Sequence, residues 1–195
     1  MYSKKGFIII CLVILSALLI TGCLPTTPVI TPEEEYFTFD STTGTITGYD
    51  IAGGLDVVIP FTIGGVAVEH IGFEVFKEKY LTSVIIPDSV TSIGECAFRI
   101  NLLTSVTIPD SVTSISDRAF GTNLLTSVTI PDSVTSIGYW VFADNLLTSV
   151  TIGADVDINS DPATMGTNTG FKTVYDGGGK LAGTYNYTGG VWVKV

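Results

Sequence analysis

The chain has few of the residues on which metal, redox and nucleic-acid sites depend. Its 195 residues include one histidine, three cysteines and no CxxC pair, so neither a zinc nor a haem centre is expected. Nine basic residues stand against 19 acidic ones, for a net charge of −10, and this balance argues against phosphate binding and hence against a nucleic-acid partner. Only 14% of residues are charged and 46% are hydrophobic, which predicts a large core or an apolar segment.

A membrane-spanning helix is not predicted, because the longest uncharged apolar run is too short. This run covers residues 7–20, whereas a helix needs about 20 apolar residues to cross a bilayer. Lys4 and Lys5 precede the run, and small residues follow it. A charged start, a short apolar centre and a small-residue exit are typical of a secretory signal peptide, which we place at residues 1–22.

Residues 20–23, Ile-Thr-Gly-Cys, resemble the lipobox of bacterial lipoproteins. This resemblance implies a diacylglycerol on the Cys23 thiol, cleavage before that residue, and a lipid anchor in a membrane. The alternative is an ordinary cleaved signal in which the cysteine is incidental. Loss of residues 1–22 removes two lysines and no acid, so the net charge becomes −12. Residues 23–35, rich in proline and glutamate, are predicted to form an extended tether.

A 22-residue unit recurs along the middle of the chain, and its copies begin at Leu81, Leu103, Leu125 and Leu147. The unit reads L-T-S-V-T-I-P-D-S-V-T-S-I-G-x-x-A-F-x-x-N-L, and the fourth copy loses this pattern after Ile152. A divergent earlier copy, which begins at Leu55, carries a five-residue insertion. Near-identity at a fixed period predicts a stack of structural repeats with irregular ends.

The spacing within one unit predicts a coil of strand and turns. Val106 and Ile108 alternate with polar residues, which is the period of a strand, and Pro109 ends it because proline has no N–H to donate. Ala119 and Phe120 are predicted to close the coil on a short helical turn. One coil has no interior, so its apolar side chains become buried only when coils stack. Stacking predicts apolar columns such as Phe98, Phe120 and Phe142.

The unit is similar to the BspA-type leucine-rich repeat of bacterial surface proteins, and the resemblance covers residues 36–152. It implies a mainly β solenoid of four to five coils. We expect an N-terminal cap and an irregular first repeat at residues 36–80, followed by regular repeats at 81–152. Residues 153–195 are expected to form a β-rich C-terminal cap.

Three short aromatic strands are predicted in the cap, at residues 171–175, 183–187 and 191–195, separated by glycine turns. A cap is needed because the last coil would otherwise expose apolar surface and an unpaired strand edge.

The positions that differ between copies are the candidate binding surface. The framework is constant while these positions change in size and charge, so we expect them to face outward. Tyr139 and Trp140 form the best local candidate, with Arg118 beside them, because Tyr, Trp and Arg dominate the energetics of protein interfaces. The alternative is that Trp140 packs beneath the neighbouring turn.

No catalytic or metal-binding constellation is recognisable. His70 has no partner motif, and Cys96 is interpreted as a free thiol or as one half of an intermolecular disulfide. Repeated aspartates and asparagines are interpreted as turn and backbone-bonding residues: Asp88, Asp110, Asp132, Asn101, Asn123 and Asn145. No cofactor, no metal and no enzymatic activity are therefore predicted.

Two functions remain open at this point. The family resemblance implies a cell-surface lipoprotein that binds a protein or a glycan, in adhesion or in recognition of host or extracellular-matrix proteins. The alternative is a structural or envelope-organising lipoprotein without a soluble ligand. The sequence predicts no oligomeric state.

Overall fold

The computed structural model describes residues 34–158 and 171–195. The predicted signal peptide and Cys23 lie outside the described residues, as does most of the predicted tether. Glu34 and Glu35, which were assigned to the tether, instead form a 3-10 turn, Glu34–Tyr36. Among the described residues no helix has the length and apolar character needed to cross a membrane, and no group of His, Cys, Asp and Glu could hold a metal ion.

The described chain is built mainly from short strands. In chain order they are β1 (Phe37–Asp40), β2 (Thr45–Tyr49), β3 (Asp56–Val58), β4 (Thr62–Ile63), β5 (Val66–Ala67), β6 (His70–Ile71), β7 (Ser83–Ile85), β8 (Ser92–Ile93), β9 (Ser114–Ile115), β10 (Ser127–Ile130), β11 (Ser136–Ile137), β12 (Ser149–Ile152), β13 (Asp157–Ile158), β14 (Gly183–Thr188) and β15 (Val191–Lys194). A second 3-10 turn spans Ile51–Gly53, and one α-helix, α1, spans Phe171–Gly177.

A seven-stranded sheet runs along the stack in the order β1-β2-β6-β8-β9-β11-β13. The β1–β2 hairpin is antiparallel, and every later pairing is parallel. Six isoleucines lie in register across the parallel strands, each at most 2% exposed: Ile46, Ile71, Ile93, Ile115, Ile137 and Ile158. The predicted β solenoid is confirmed, with about five turns at a spacing near 22 residues.

The strands predicted from the L-x-x-V-x-I segment form a discontinuous second column. β3 pairs with β7, and β10 pairs with β12, but residues 103–108 carry no strand, and Val106 is only half-buried. The strand predicted there is therefore wrong, although Ile108 is buried as expected. Residues 125–130 have the same sequence and form β10, so the difference comes from neighbouring coils and not from local propensity.

The predicted helical turn is also wrong, because each corner is made from left-handed residues. Two positions per coil have φ between 54° and 58°: Glu74, Cys96, Arg118 and Trp140 at the first, and Glu78, Ile100, Thr122 and Asp144 at the second. Alternate backbone N–H groups donate to the next coil, as from Phe98 to the Ala119 carbonyl at 2.8 Å. The intervening N–H groups close single turns within the coil, as from Gly121 to the Arg118 carbonyl at 3.1 Å. The corner is thus a pair of left-handed turns bonded to the next coil, and not a helical turn.

Replacement of Thr122 by glycine is expected to stabilise the protein by about 0.5–1 kcal/mol. A left-handed residue other than glycine costs about 1–2 kcal/mol, and the greater unfolded-state freedom of glycine offsets part of the gain. Thr122 is exposed, so little packing is lost. Urea unfolding measures the change, and Thr129→Gly in β10 is the control that should destabilise. A loss of stability in Thr122→Gly would contradict the left-handed conformation.

The predicted phenylalanine column is confirmed and extends one coil further than expected. The rings of Phe76, Phe98, Phe120 and Phe142 stack almost parallel, with centroids 5.0, 5.1 and 5.6 Å apart. All four side chains are fully buried. The repeat therefore generates its core by placing the same ring in the same position of each coil.

The asparagine column bonds to the backbone of neighbouring coils, as predicted. Asn123 donates through Nδ2 to the Phe98 carbonyl at 3.0 Å and the Phe120 carbonyl at 3.1 Å, and its Oδ1 accepts from the Leu103 N–H at 3.1 Å. Asn101 and Asn145 make equivalent bonds one coil earlier and later. Each amide thus satisfies buried backbone groups of two coils.

The C-terminal residues cover the end of the second strand column. β14 pairs antiparallel with β12, and β15 pairs with β14, so the strands predicted at 183–187 and 191–195 are confirmed. The strand predicted at 171–175 is wrong, because this segment forms α1. Helical spacing puts Phe171 and Tyr175 on one buried face, where both rings pack edge-on against Tyr185.

The irregular coils are built by small changes to the repeat. The five extra residues fall in segment 61–70, which forms the β4–β5 hairpin. The pattern lost in the sequence after Ile152 continues in the structure, because β13 pairs with β11. Val156 and Ile158 are buried in that last coil.

Candidate functional site

Arg118 and Trp140 meet on the turn face, which we define as the corners that carry the left-handed residues. They occupy the same position in successive coils, and the Arg118 guanidinium carbon lies 4.2 Å from the centre of the Trp140 ring. Tyr139 directly precedes the tryptophan. Its N–H donates to an Asp117 carboxylate oxygen at 2.8 Å, and its carbonyl accepts from the Arg118 N–H at 2.8 Å. The structure therefore brings the three predicted site residues together.

The exposure of Trp140 favours an outward-facing side chain over one packed beneath a neighbouring turn. Its side chain is 36% exposed and that of Tyr139 is 44% exposed. The guanidinium covers one face of the indole, a cation–π contact worth about 0.5–1 kcal/mol at an exposed site. This contact orders Arg118, a residue whose long side chain would otherwise lose conformational entropy on binding.

A hollow of about 200 Å³ adjoins this pair, and its lining is Arg99, Arg118, Gly121, Thr122, Trp140, Ala143 and Asp144. Sequence reasoning missed Arg99 as a member of the site. The sequence could have revealed the hollow through the 22-residue period. One position of successive coils is occupied by Lys77, Arg99, Gly121 and Ala143. Long cationic side chains fill that position in two coils, and small residues leave it empty in the next two.

The backbone conformation at residue 121 does not require glycine. It does not have a left-handed conformation, and a Cβ added there would come no closer than 3.4 Å to its neighbours, which is ordinary van der Waals contact. Because glycine has no side chain, it leaves free volume at this position. The hollow therefore exists because of side-chain size at residues 121 and 143.

His70 and Cys96 show no arrangement suited to catalysis. The His70 Nδ1 lies 2.8 Å from the Ser92 Oγ and 3.4 Å from the Thr91 Oγ1, and within the described ranges no carboxylate is bonded to the ring. A serine–histidine pair without an orienting acid lacks the third member of a hydrolytic triad. Cys96 is a buried free thiol, and burial raises its pKa, which disfavours the reactive thiolate.

The stacked 22-residue coils place this protein among the repeat solenoids, and its sequence matches the model of one repeat family. Residues 67–169 match the BspA type leucine rich repeat region, in six copies. The chain belongs to the BspA-type leucine-rich repeat family. No curated protein is significantly similar to it in sequence.

Several solved structures of bacterial leucine-rich repeat proteins are similar to this chain. One from Bacteroides capillosus is 28% identical over 56% of this chain and 86% of its own, with a TM-score of 0.48. A leucine-rich repeat protein of T. pallidum is 26% identical over 58% of this chain and 56% of its own, with a TM-score of 0.47. A Bacteroides ovatus protein is 26% identical over 60% and 40%, with a TM-score of 0.42.

Family membership has a coarse functional meaning. BspA-type repeats are typical of bacterial surface proteins. Such repeats are typically binding modules without enzymatic activity, and the family suggests a protein-binding role.

Proposed function

We propose that this protein is an exported, lipid-anchored repeat protein of the bacterial cell surface that binds a protein or a glycan, in adhesion or in recognition of host or extracellular-matrix proteins. It acts without catalysis and without a cofactor. The observation that supports this most is the contact of the half-buried Arg118 with the exposed Trp140, with the exposed Tyr139 beside it. These are the residue types that dominate interface energies, and a constant framework presents them at positions that vary between copies.

The rest of the turn face is consistent with a binding surface of some length. Further large apolar side chains are exposed where successive coils reach the same corner: Tyr80, Leu102, Leu124 and Leu146. A ligand bound at Trp140 can therefore extend along the stack and bury apolar surface in other coils. Stacked repeats commonly offer such elongated surfaces.

The double variant Tyr139→Ala/Trp140→Ala is expected to lose most ligand capture. The immobilised chain is exposed to solubilised envelope proteins, extracellular-matrix proteins and host glycans, and bound material is quantified. The matched control is Phe61→Ala/Ile85→Ala, which removes exposed apolar side chains outside the turn face. Equal capture by both variants would contradict the assigned site.

Exposure on the cell surface separates adhesion from the envelope-organising alternative. Protease added to intact cells is expected to cleave the chain. Protection from protease, together with the absence of any captured ligand, would replace the adhesion proposal by the structural one.

The proposed lipid anchor can be tested by the chemical modification of Cys23. Mass spectrometry of the mature protein is expected to show an N-terminal Cys23 that carries at least a diacylglycerol. The variant Cys23→Ala should abolish this modification and release the protein from the membrane fraction, because acyl chains supply the membrane affinity. An unmodified N-terminus at another residue would contradict the anchor.

A further inference from the structure

Both arginines of the chain line the hollow on the turn face. Arg99 and Arg118 are the only arginines among the nine basic residues of a chain with a net charge of −10. They come from adjacent coils, and Trp140 lies in the coil that follows. These two guanidinium groups form a local positive charge on a chain that is negative as a whole, which favours the binding of an anionic ligand at the hollow.

Within residues 34–158 and 171–195, neither guanidinium pairs with an acid. Four ion pairs occur among the described residues, and all of them use lysine: Lys77–Glu74, Lys77–Glu78, Lys172–Asp176 and Lys180–Asp157. Within the same ranges no side-chain hydrogen bond involves either arginine. Their planar donor groups are free to bind a carboxylate in bidentate geometry.

The charge and size of the hollow select among anions. Arg99, Arg118 and Asp144 give its lining a formal charge of +1, which matches one carboxylate better than a phosphate dianion. A volume of about 200 Å³ fits a side chain and its carboxylate. Because Arg118 covers one face of the Trp140 indole, that face is closed to the stacking of a sugar ring.

We propose that this hollow binds the carboxylate of an aspartate or glutamate side chain presented by a protein partner, held between Arg99 and Arg118 beside Trp140. This inference rests on the proposed binding function and specifies the chemistry of its ligand. The empty position at Gly121 and Ala143 admits the acidic side chain, where two earlier coils place a cation of their own.

The test is the binding of a hexaglutamate peptide to the full chain, measured by calorimetry with hexaserine as the uncharged reference. Gly121→Gln fills the hollow with a neutral side chain at a position where Arg99 is accommodated one coil earlier. This variant and the double variant Arg99→Gln/Arg118→Gln are both expected to weaken binding at least tenfold. Lys79→Gln, which removes one charge outside the hollow, should weaken it less than twofold. Thermal unfolding verifies that each variant is folded.

Three results would overturn the inference. Equal affinity for hexaglutamate and hexaserine would show that no anion is recognised. Equal weakening by Lys79→Gln and Arg99→Gln/Arg118→Gln, with no effect of Gly121→Gln, would reduce the attraction to diffuse charge. Tighter binding of oligogalacturonate than of hexaglutamate, with the same sensitivity to Gly121→Gln, would assign the hollow to an acidic glycan.

The capture experiment keeps this inference separate from the proposed function. Capture that is lost in Tyr139→Ala/Trp140→Ala but unchanged in Gly121→Gln supports the binding function and rejects the carboxylate site. Hexaglutamate binding that depends on Gly121, together with no ligand captured by the unmodified chain, supports the carboxylate site and rejects the proposed function.

Discussion

Asn123→Ala is expected to lower the free energy of unfolding by about 2–3 kcal/mol. The substitution leaves the buried N–H of Leu103 without its acceptor. It also removes one of the two amide donors to each of the Phe98 and Phe120 carbonyls, which keep Asn101 and Asn145. Each buried polar group that loses its hydrogen bond costs about 1–3 kcal/mol. The effect is large because one amide serves two coils, so its loss weakens the interface between them.

Urea unfolding monitored by circular dichroism measures this loss. Thr126→Ala is the control, since this exposed residue should change stability by less than about 0.5 kcal/mol. Asn145→Ala tests the same bonds one coil later and should behave like Asn123→Ala. A loss below about 1 kcal/mol at Asn123 would show that the backbone groups find other partners.

Phe120→Ala is expected to lower the free energy of unfolding by about 3–5 kcal/mol. The ring is fully buried between Phe98 and Phe142, with centroid distances of 5.1 and 5.6 Å. Truncation removes apolar burial and leaves a cavity, which typically costs this amount. Collapse of the cavity is limited because the stacked backbones on both sides are held by hydrogen bonds to each other.

The matched control is Phe73→Ala, which removes the same side chain from a position that is 62% exposed. Its effect should stay below about 1 kcal/mol. Phe120→Leu should recover part of the loss at Phe120, because it refills most of the cavity with apolar volume. If Phe120→Ala were no more harmful than Phe73→Ala, the ring would lie outside the core.

The predictions that succeeded depend on the repeat period. A 22-residue spacing puts chemically identical residues in the same place in every coil, so the Phe98–Phe120–Phe142 column and the asparagine ladder could be read directly. The candidate site was found in part for the same reason, since Arg118 and Trp140 are 22 residues apart. Arg99 was missed because the hollow depends on the small size of residues 121 and 143. A search for large interface side chains does not reveal free volume left by small ones.

The predictions that failed concern conformations that local sequence leaves open. Residues 103–108 and 125–130 are identical, yet only the second segment forms a strand. The left-handed corners contain threonine, isoleucine and tryptophan, residues that do not favour this conformation by themselves. Residues 171–175 are rich in aromatic and β-branched residues, which favour strands, but form part of α1, because a helix buries Phe171 and Tyr175 together.

The sequence by itself determined that this protein is a stack of leucine-rich coils, which side chains form its core columns, and which positions vary on its turn face. Periodicity is sufficient for this, since apolar residues repeated at one interval are buried against their copies in neighbouring coils. The tertiary structure alone decided which strands pair, how each corner turns, and that Arg99, Arg118 and Trp140 surround one hollow. Those features depend on hydrogen bonds and free volume between coils, and neither exists until neighbouring coils are in contact.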